Sequence, residues 1–175
     1  METNTPLIAL MGNPNSGKTA IFNLLTGMNQ KVSNYPGITV EKRKGTTLLA
    51  QNTQAEILDM PGTYSLTPES LDEKIVAQQV LDWMQEKEKP AAIISVVDAG
   101  NLSRNLYLTS QILDLDIPVI VALNMMDRVK RKNQDINCQA LKKMLGAAAV
   151  VPMSAREKWG IKELKQELTA IIQNK

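Results

Sequence analysis

The sequence contains no histidine and a single cysteine, Cys138. One thiol cannot close an internal disulfide, and without imidazole or further thiolates the usual zinc clusters cannot be assembled. Long apolar runs are also missing. The stretches AAIISVV and IPVIVAL fall far short of the ~20 residues a membrane helix needs. No excess of one charge is present either: 20 Lys and Arg against 18 Asp and Glu leave +2, which gives no electrostatic case for nucleic acid or an anionic membrane. The N-terminal METNTPLIAL has no basic stretch ahead of its apolar residues, so no signal peptide is expected. Repeats, linkers and low-complexity tracts are lacking, and no internal domain boundary is placed. Together these shortages lead us to expect a soluble, intracellular protein of a reducing compartment.

What is present is a chain of 175 residues, 43% hydrophobic and 22% charged, long enough for one compact domain with a real core. Short β-rich apolar runs at Leu7–Met11, Thr46–Ala50, Ala55–Leu58, Ala91–Val97, Val119–Leu123 and Ala148–Val151 predict six strands. Helical spacing follows Lys18 in Ile21, Phe22, Leu24 and Leu25. Ser70 with Glu73 makes a capping box ahead of Leu71, Ile75, Val76, Val80 and Trp83. Leu102, Leu106 and Leu113 mark another helix, Leu141, Met144 and Leu145 the next, and Ile161, Leu164, Leu168, Ile171 and Ile172 the last. Strands alternating with helices of this length predict an α/β fold: a six-stranded, mostly parallel sheet with helices on both faces. The second and third strands are joined by QNTQ, too short for a crossover, so one strand is expected to run antiparallel. Met28 to Lys44 has no strong periodicity and reads as a long loop, a kind of segment that is usually functional or disordered.

GNPNSGKT, Gly12 to Thr19, joins the first strand to the first helix and matches G-x-x-x-x-G-K-[ST]. The chemistry needs this order. Glycines let the backbone wrap so that successive N–H groups of Asn13, Pro14-flanking Asn15, Ser16 and Gly17 point at phosphate oxygens, and the helix adds the positive end of its dipole. Lys18 reaches the outer phosphates as a mobile point charge, and the Thr19 hydroxyl is placed to ligate Mg²⁺. A chance match in a chain of this length arises on the order of one time in a hundred, so the motif is specific.

Three further motifs follow in order. LDMPGTYSL places Asp59 three residues before Gly62; Asn124 and Asp127 bracket NMMD, which includes Met125; and Ser154, Ala155 and Arg156 form SAR after the sixth predicted strand. A carboxylate at Asp127 accepts from the N1–H and exocyclic amine of guanine, whereas adenine would leave it unpaired and desolvated. Asn124 is suited to tie the base edge to the phosphate loop, and backbone N–H groups of the SAR segment to face the guanine O6. N-x-x-D alone is weak, close to an even chance in any chain this long, and SAR alone carries nothing. Their joint order decides: each motif occurs once, in sequence, each at a strand's carboxyl end, where open α/β sheets bind ligands. That arrangement resembles the small G-protein (P-loop NTPase) fold. Asp59 is then the magnesium-linked sensor, Gly62 a donor to the γ-phosphate, and Thr39 in GITVE the loop threonine that meets Mg²⁺ in the triphosphate state. Many GTP switches place a glutamine after the glycine of D-x-x-G to orient the attacking water; here Thr63 stands there.

GNPNSGKT, NYPGITVE, LDMPGTYSL, VVDAGNLSRNLYLTSQILDLDIPVIVALNMMD and SAREKWGIKEL together resemble the G domain of the ferrous iron transport protein B family, over essentially the whole chain. The resemblance implies binding of GTP and GDP and slow, potassium-stimulated hydrolysis coupled to bacterial Fe²⁺ uptake at the cytoplasmic face of the inner membrane. It implies catalytic roles for Asn15, Lys18, Thr39 and Gly62, with Asn15 helping to hold K⁺ beside the phosphates and Thr19, Thr39 and Asp59 serving Mg²⁺. In this family a helical domain and a membrane permease follow the G domain. Neither is encoded here, so residues 1–175 are expected to be a single G domain, excised or stand-alone, whose partners and any oligomerisation lie in those other parts. No iron site is expected in these residues.

The remaining features read blandly. Met11, Met60, Met125 and Met126 sit at strand ends as core and pocket filling, Trp83 and Trp159 as packing residues, DRVKRKN as a solvated loop, and Cys138 as a small residue at a helix start. Two rival functions stand beside a GTPase switch: a nucleotide-sensing module with negligible turnover, which the missing glutamine favours, and a ribosome-assembly type of GTPase, which NMMD and the balanced charge disfavour.

Overall fold

The computed structural model describes residues 5–27, 29–87 and 89–174. Its strands are β1 (Leu7–Gly12), β2 (Gln30–Asn34), β3 (Glu41–Leu48), β4 (Gln54–Asp59), β5 (Ala92–Asp98), β6 (Val119–Asn124) and β7 (Ala149–Pro152). The helices are α1 (Lys18–Thr26), α2 (Leu71–Met84), α3 (Leu102–Leu113), α4 (Met126–Arg131), α5 (Cys138–Leu145) and α6 (Ile161–Gln173). They form one sheet in the order β2-β3-β4-β1-β5-β6-β7. β4, β1, β5, β6 and β7 pair in parallel, while β3 is antiparallel to both of its neighbours.

β1 lies at the centre, and its side chains alternate between two cores. Ile8 and Leu10 face Ile21, Phe22 and Leu25 of α1 and Leu164 and Leu168 of α6. Ala9 and Met11 face Val76, Val80 and Trp83 of α2 and Leu108 and Ile112 of α3. A strand covered on both faces reads as one continuous apolar run, as LIALM does. Farther along the sheet Val97, Val121 and Leu123 pack on Met126 and Val129 of α4, with Leu141 and Leu145 of α5 against them. Phe22 is fully buried, and truncating such a side chain costs about 3–5 kcal/mol. α2 starts as its capping box requires: Ser70 Oγ accepts from the Glu73 N–H at 3.2 Å, and Glu73 Oε2 accepts from the Ser70 N–H at 3.1 Å.

Two expectations are corrected. Among the described residues the sheet has seven strands rather than six, because the segment read as a loop from Met28 to Lys44 contains β2 and the start of β3 (Met28 itself lies outside the described residues). QKVSN and EKRKG carry no apolar alternation because this edge pair is built by its backbone ladder, with Val32 opposite Arg43, and buries little; Val32 is 59% exposed. Charged edge strands of this kind are protected from pairing with other chains. What remains irregular is Tyr35 to Val40, the turn that carries Thr39. Second, DRVKRKN is not simply a solvated loop: Asp127 to Arg131 belong to α4, too short to show a period, with Met126, Asp127 and Val129 buried.

Candidate functional site

The motif residues meet at the carboxyl edge of the sheet. β1 ends at Gly12 under crowded conditions: a Cβ there would lie 2.8 Å from the Val96 carbonyl and 2.9 Å from Ser16 Oγ. The chain then turns through Asn15 and Gly17, both with positive φ (65° and 92°), into α1. The N–H of Ser16 donates to the Asn13 carbonyl at 3.2 Å, closing the turn. Asn15 and Thr19 are exposed on the open side, while Asn13 and Ser16 are buried. Asn13 Oδ1 and Ser16 Oγ are buried without a hydrogen-bond partner among the described residues. Unpaired buried oxygens are uncommon, and in a loop of this kind they mark a place held open for polar company.

Pairing of β1 with β4 sets Leu10 opposite Asp59, which carries the acid to the phosphate loop. Lys18 Nζ lies 2.5 Å from Asp59 Oδ1, and both side chains are largely buried. Gly62 packs on the loop as well, since a Cβ there would stand 3.3 Å from Pro14, and the Thr63 N–H donates to the Gly12 carbonyl at 3.3 Å. Thr63 is 1% exposed. Its hydroxyl donates to the Ser65 carbonyl at 2.6 Å and lies 3.3 Å from Glu73 Oε1. It is a brace between this loop and the start of α2, not a group aimed outward. Thr39 is exposed in its turn, and no hydrogen bond joins it to Asp59 or the phosphate loop among the described residues. Of the three expected magnesium residues, Asp59 is held to the phosphate loop by Lys18, the neighbour of Thr19 in the chain, while Thr39 stands apart. Oxygen donors alone, with a buried carboxylate neutralised only by a mobile lysine, fit a hard divalent cation arriving with phosphates.

The base side is tied more tightly. Asn124 Nδ2 donates to the Ser16 carbonyl at 3.0 Å, while its Oδ1 accepts from the Ala155 N–H at 2.9 Å. One buried amide therefore links the phosphate loop, the end of β6 and the segment after β7. Asp127 Oδ1 accepts from Ser154 Oγ at 2.9 Å, and Asp127 Oδ2 pairs with Arg131 Nη2, one turn later on α4. Burial pushes the Asp127 carboxyl up, but the hydrogen bonds from Ser154 and Arg131 and the guanidinium charge outweigh it, holding the group below the usual carboxylate range. Met125, in the left-handed region at φ 63°, turns the chain from β6 into α4. Ser154 also bridges Trp159 through paired backbone hydrogen bonds of 3.2 Å each, and Lys130 sits 4.4 Å over the Trp159 ring. Arg156 lies exposed at the tip of this closed loop.

Sequence reasoning missed the partners contributed from elsewhere. Arg104 on α3 stacks 4.3 Å over the Tyr64 ring, and its carbonyl accepts from Asn13 Nδ2 at 3.4 Å. Two turns on, Gln111 Oε1 accepts from the Leu66 N–H at 2.9 Å. No short-range signal announces these contacts. The Arg131 contact did have one, in the i, i+4 spacing from Asp127.

A phosphate loop between β1 and α1, an acid and glycine leaving β4, and an Asn–Asp pair leaving β6 define a P-loop G domain. Within that class the ferrous iron transport protein B profile matches residues 6–168, and the chain belongs to that family. It is 47% identical over 163 residues to the Fe(2+) transporter FeoB of Legionella pneumophila (strain Paris), a match covering 91% of this chain and 21% of that protein. The cytosolic domain of L. pneumophila FeoB superposes with a TM-score of 0.85 at 46% identity, covering 94% of this chain and 68% of that one. The cytosolic domain of T. maritima FeoB in its GMPPNP form gives 0.88 at 38% identity, covering 97% and 64%. The chain thus spans about a fifth of the length of the curated relatives it matches. Membership of this family does not favour the ribosome-assembly reading. No helix among the described residues is long and apolar enough to cross a membrane.

Proposed function

We propose that this chain binds GTP and GDP and hydrolyses GTP as a switch that regulates ferrous iron transport, at the cytoplasmic face of the bacterial inner membrane. The observation that carries the nucleotide reading is Asn124, whose amide holds the phosphate loop by Ser16 and the base loop by Ala155. Gly12, Asn13, Pro14, Asn15, Ser16 and Gly17 wrap the phosphates by backbone N–H groups, Pro14 excepted, and Asp127 takes the two donors of guanine. Met125 and Arg156 border the base and Ser154 steadies Asp127. Lys18 leaves Asp59 for the outer phosphates when these arrive, which frees the carboxylate. Thr19, Asp59 and, in the triphosphate state, Thr39 would then hold Mg²⁺, whose chemistry is to neutralise charge on the phosphates.

In hydrolysis, a water oxygen bonds to the γ-phosphorus while the bond to the β–γ bridging oxygen breaks. Its electron pair leaves with GDP, and the proton the water loses passes to an oxygen of the departing phosphate. Gly62 donates its N–H to a γ-phosphate oxygen, Lys18 compensates charge, and switch backbone holds the water in place of a glutamine. The Asn15 side chain, exposed on the open side of the loop and without a hydrogen bond among the described residues, offers the amide oxygen proposed as the ligand for K⁺. The helical and permease parts of longer relatives are the proposed partners. Multiple-turnover phosphate release tests the reading: GTP should be turned over slowly and ATP should not. Tight GDP binding without turnover would leave a nucleotide sensor, and equal use of ATP would overturn the base assignment.

A further inference from the structure

We infer that Arg131 competes with the incoming base for Asp127, so that it sets how fast nucleotide leaves the site. The inference rests on the guanine reading above. In this structure both oxygens of the Asp127 carboxylate are already engaged, Oδ1 by Ser154 Oγ at 2.9 Å and Oδ2 by Arg131 Nη2. Arg131 also donates from Nε to the Asp127 carbonyl at 3.2 Å, so its guanidinium clamps the residue at two points.

The pair is asymmetric. The Asp127 side chain is 3% exposed and that of Arg131 58%: a buried acceptor is covered from the solvent side by a group free to leave. Each carboxylate oxygen has about two in-plane lone-pair sites, so a neutral donor such as the Ser154 hydroxyl can stay on Oδ1 when a base arrives. A guanidinium on Oδ2 instead neutralises the charge the base would meet. Oδ2 cannot serve a guanidinium and a base N–H at full strength together. A charged planar fork is a stronger donor than a neutral N–H, so whatever the Arg131 pair contributes to holding Asp127 is subtracted from nucleotide binding.

Arg131 also has somewhere to go. It lines a groove of about 750 Å³ between α4 and the start of α3, and Asp98 and Asp135 line the same groove. Both are acceptors for a displaced guanidinium. Arg128 and Lys132 are also on the wall, so those carboxylates are shared with other cations and the displaced position is not a trap.

A residue that merely orients Asp127 would give the opposite sign on removal, which makes the inference testable. Release of fluorescent GDP is followed by stopped flow for the native chain, Arg131→Gln, Arg131→Lys, Asp127→Asn and the Asp127→Asn/Arg131→Gln pair. The exposed Arg131 can be replaced without touching the core, Asp127 is buried, and a thermal melt checks that every variant folds. Arg131→Gln should slow release and tighten affinity about 2–5-fold, the range a partly exposed ion pair spans, with the association rate unchanged. Arg131→Lys should fall between, because it keeps charge without the fork. In the Asp127→Asn background the Arg131→Gln effect should vanish. Faster or unchanged release in Arg131→Gln overturns the inference, as does a slowing that survives Asp127→Asn. Equal affinity of the native chain for GDP and ADP removes the guanine reading itself, and the inference with it.

Discussion

A Cβ placed on Gly17 would lie 2.1 Å from Asn124 Nδ2, so the phosphate loop and the base-side asparagine touch with no room for a methyl group. Gly17 also holds φ at 92°, a region that costs a residue with a side chain roughly 1–2 kcal/mol. Asn124 can bridge Ser16 and Ala155 only because nothing stands between them. Gly17→Ala should therefore keep the fold, shown by an unchanged far-ultraviolet spectrum, while GDP affinity measured by calorimetry falls at least ~10-fold, the equivalent of one such strain. Native affinity in Gly17→Ala would mean that the bridge does not organise the site.

Base selectivity should rest on Asp127. Its carboxylate is buried and kept ionised by Ser154 and Arg131, and each well-made charged hydrogen bond to guanine is worth about 1.5–3 kcal/mol. Asp127→Asn should weaken GTP binding about 10–100-fold and raise the relative affinity for xanthosine nucleotides, whose exocyclic oxygen accepts from the new amide. Competition binding with both nucleotides gives the answer directly. An unchanged preference for guanine in Asp127→Asn would reassign the recognition.

How much of this was legible depended on how local the determinant was. GNPNSGKT could be placed because phosphate wrapping is specified within eight consecutive residues and needs glycine at set points. Central strands such as VIVALN could be placed because burial on both faces leaves a continuous apolar run. β2 was invisible because its ladder to β3 is made by backbone groups that any sequence supplies, and Lys31, Val32, Ser33 and Asn34 bury nothing that would leave a pattern. The stack of Arg104 on Tyr64 was invisible for a different reason. It depends on α3 running beside the loop after β4, a consequence of the sheet order rather than of any short motif. Thr63 is intermediate: its departure from glutamine was plain, but only the hydrogen bonds to Ser65 and Glu73 show that it braces the loop.

Nucleotide state should be read by Thr39, which stands apart from Asp59 here. If only the triphosphate state recruits the Tyr35–Val40 turn, Thr39→Ala should leave GDP affinity unchanged and cut hydrolysis about 10–100-fold, as loss of a metal-site contact typically does. Lys18→Ala should behave differently, weakening both nucleotides with GTP suffering more, because the lysine serves the outer phosphates. Single-turnover hydrolysis set beside GDP titrations separates the two patterns. A Thr39→Ala chain that hydrolyses at the native rate would show the threonine to be misassigned.

The missing glutamine leaves the last question, how charge on the β–γ bridge is offset. Thr63 cannot do it: a hydroxyl carries no positive charge, and this one is 1% exposed and engaged by Ser65. An arginine finger in other G domains is worth roughly 10³–10⁵ in rate, so a cationic substitute has much to supply. Asn15 is exposed on the open side of the phosphate loop with φ at 65°; its amide oxygen suits a monovalent cation beside the phosphates, where positive charge acts without any partner protein. Hydrolysis should then run at least ~10-fold faster in K⁺ than in Na⁺ at equal ionic strength, a modest part of a finger's effect. Asn15→Ala should erase the difference while GDP affinity stays put, because the amide touches the ion and not the diphosphate. If Asn15 only braced the loop, as asparagine often does in turns, the alanine variant would lose rate equally in both salts. Identical native rates in the two salts, or a K⁺ effect that survives Asn15→Ala, rule the mechanism out.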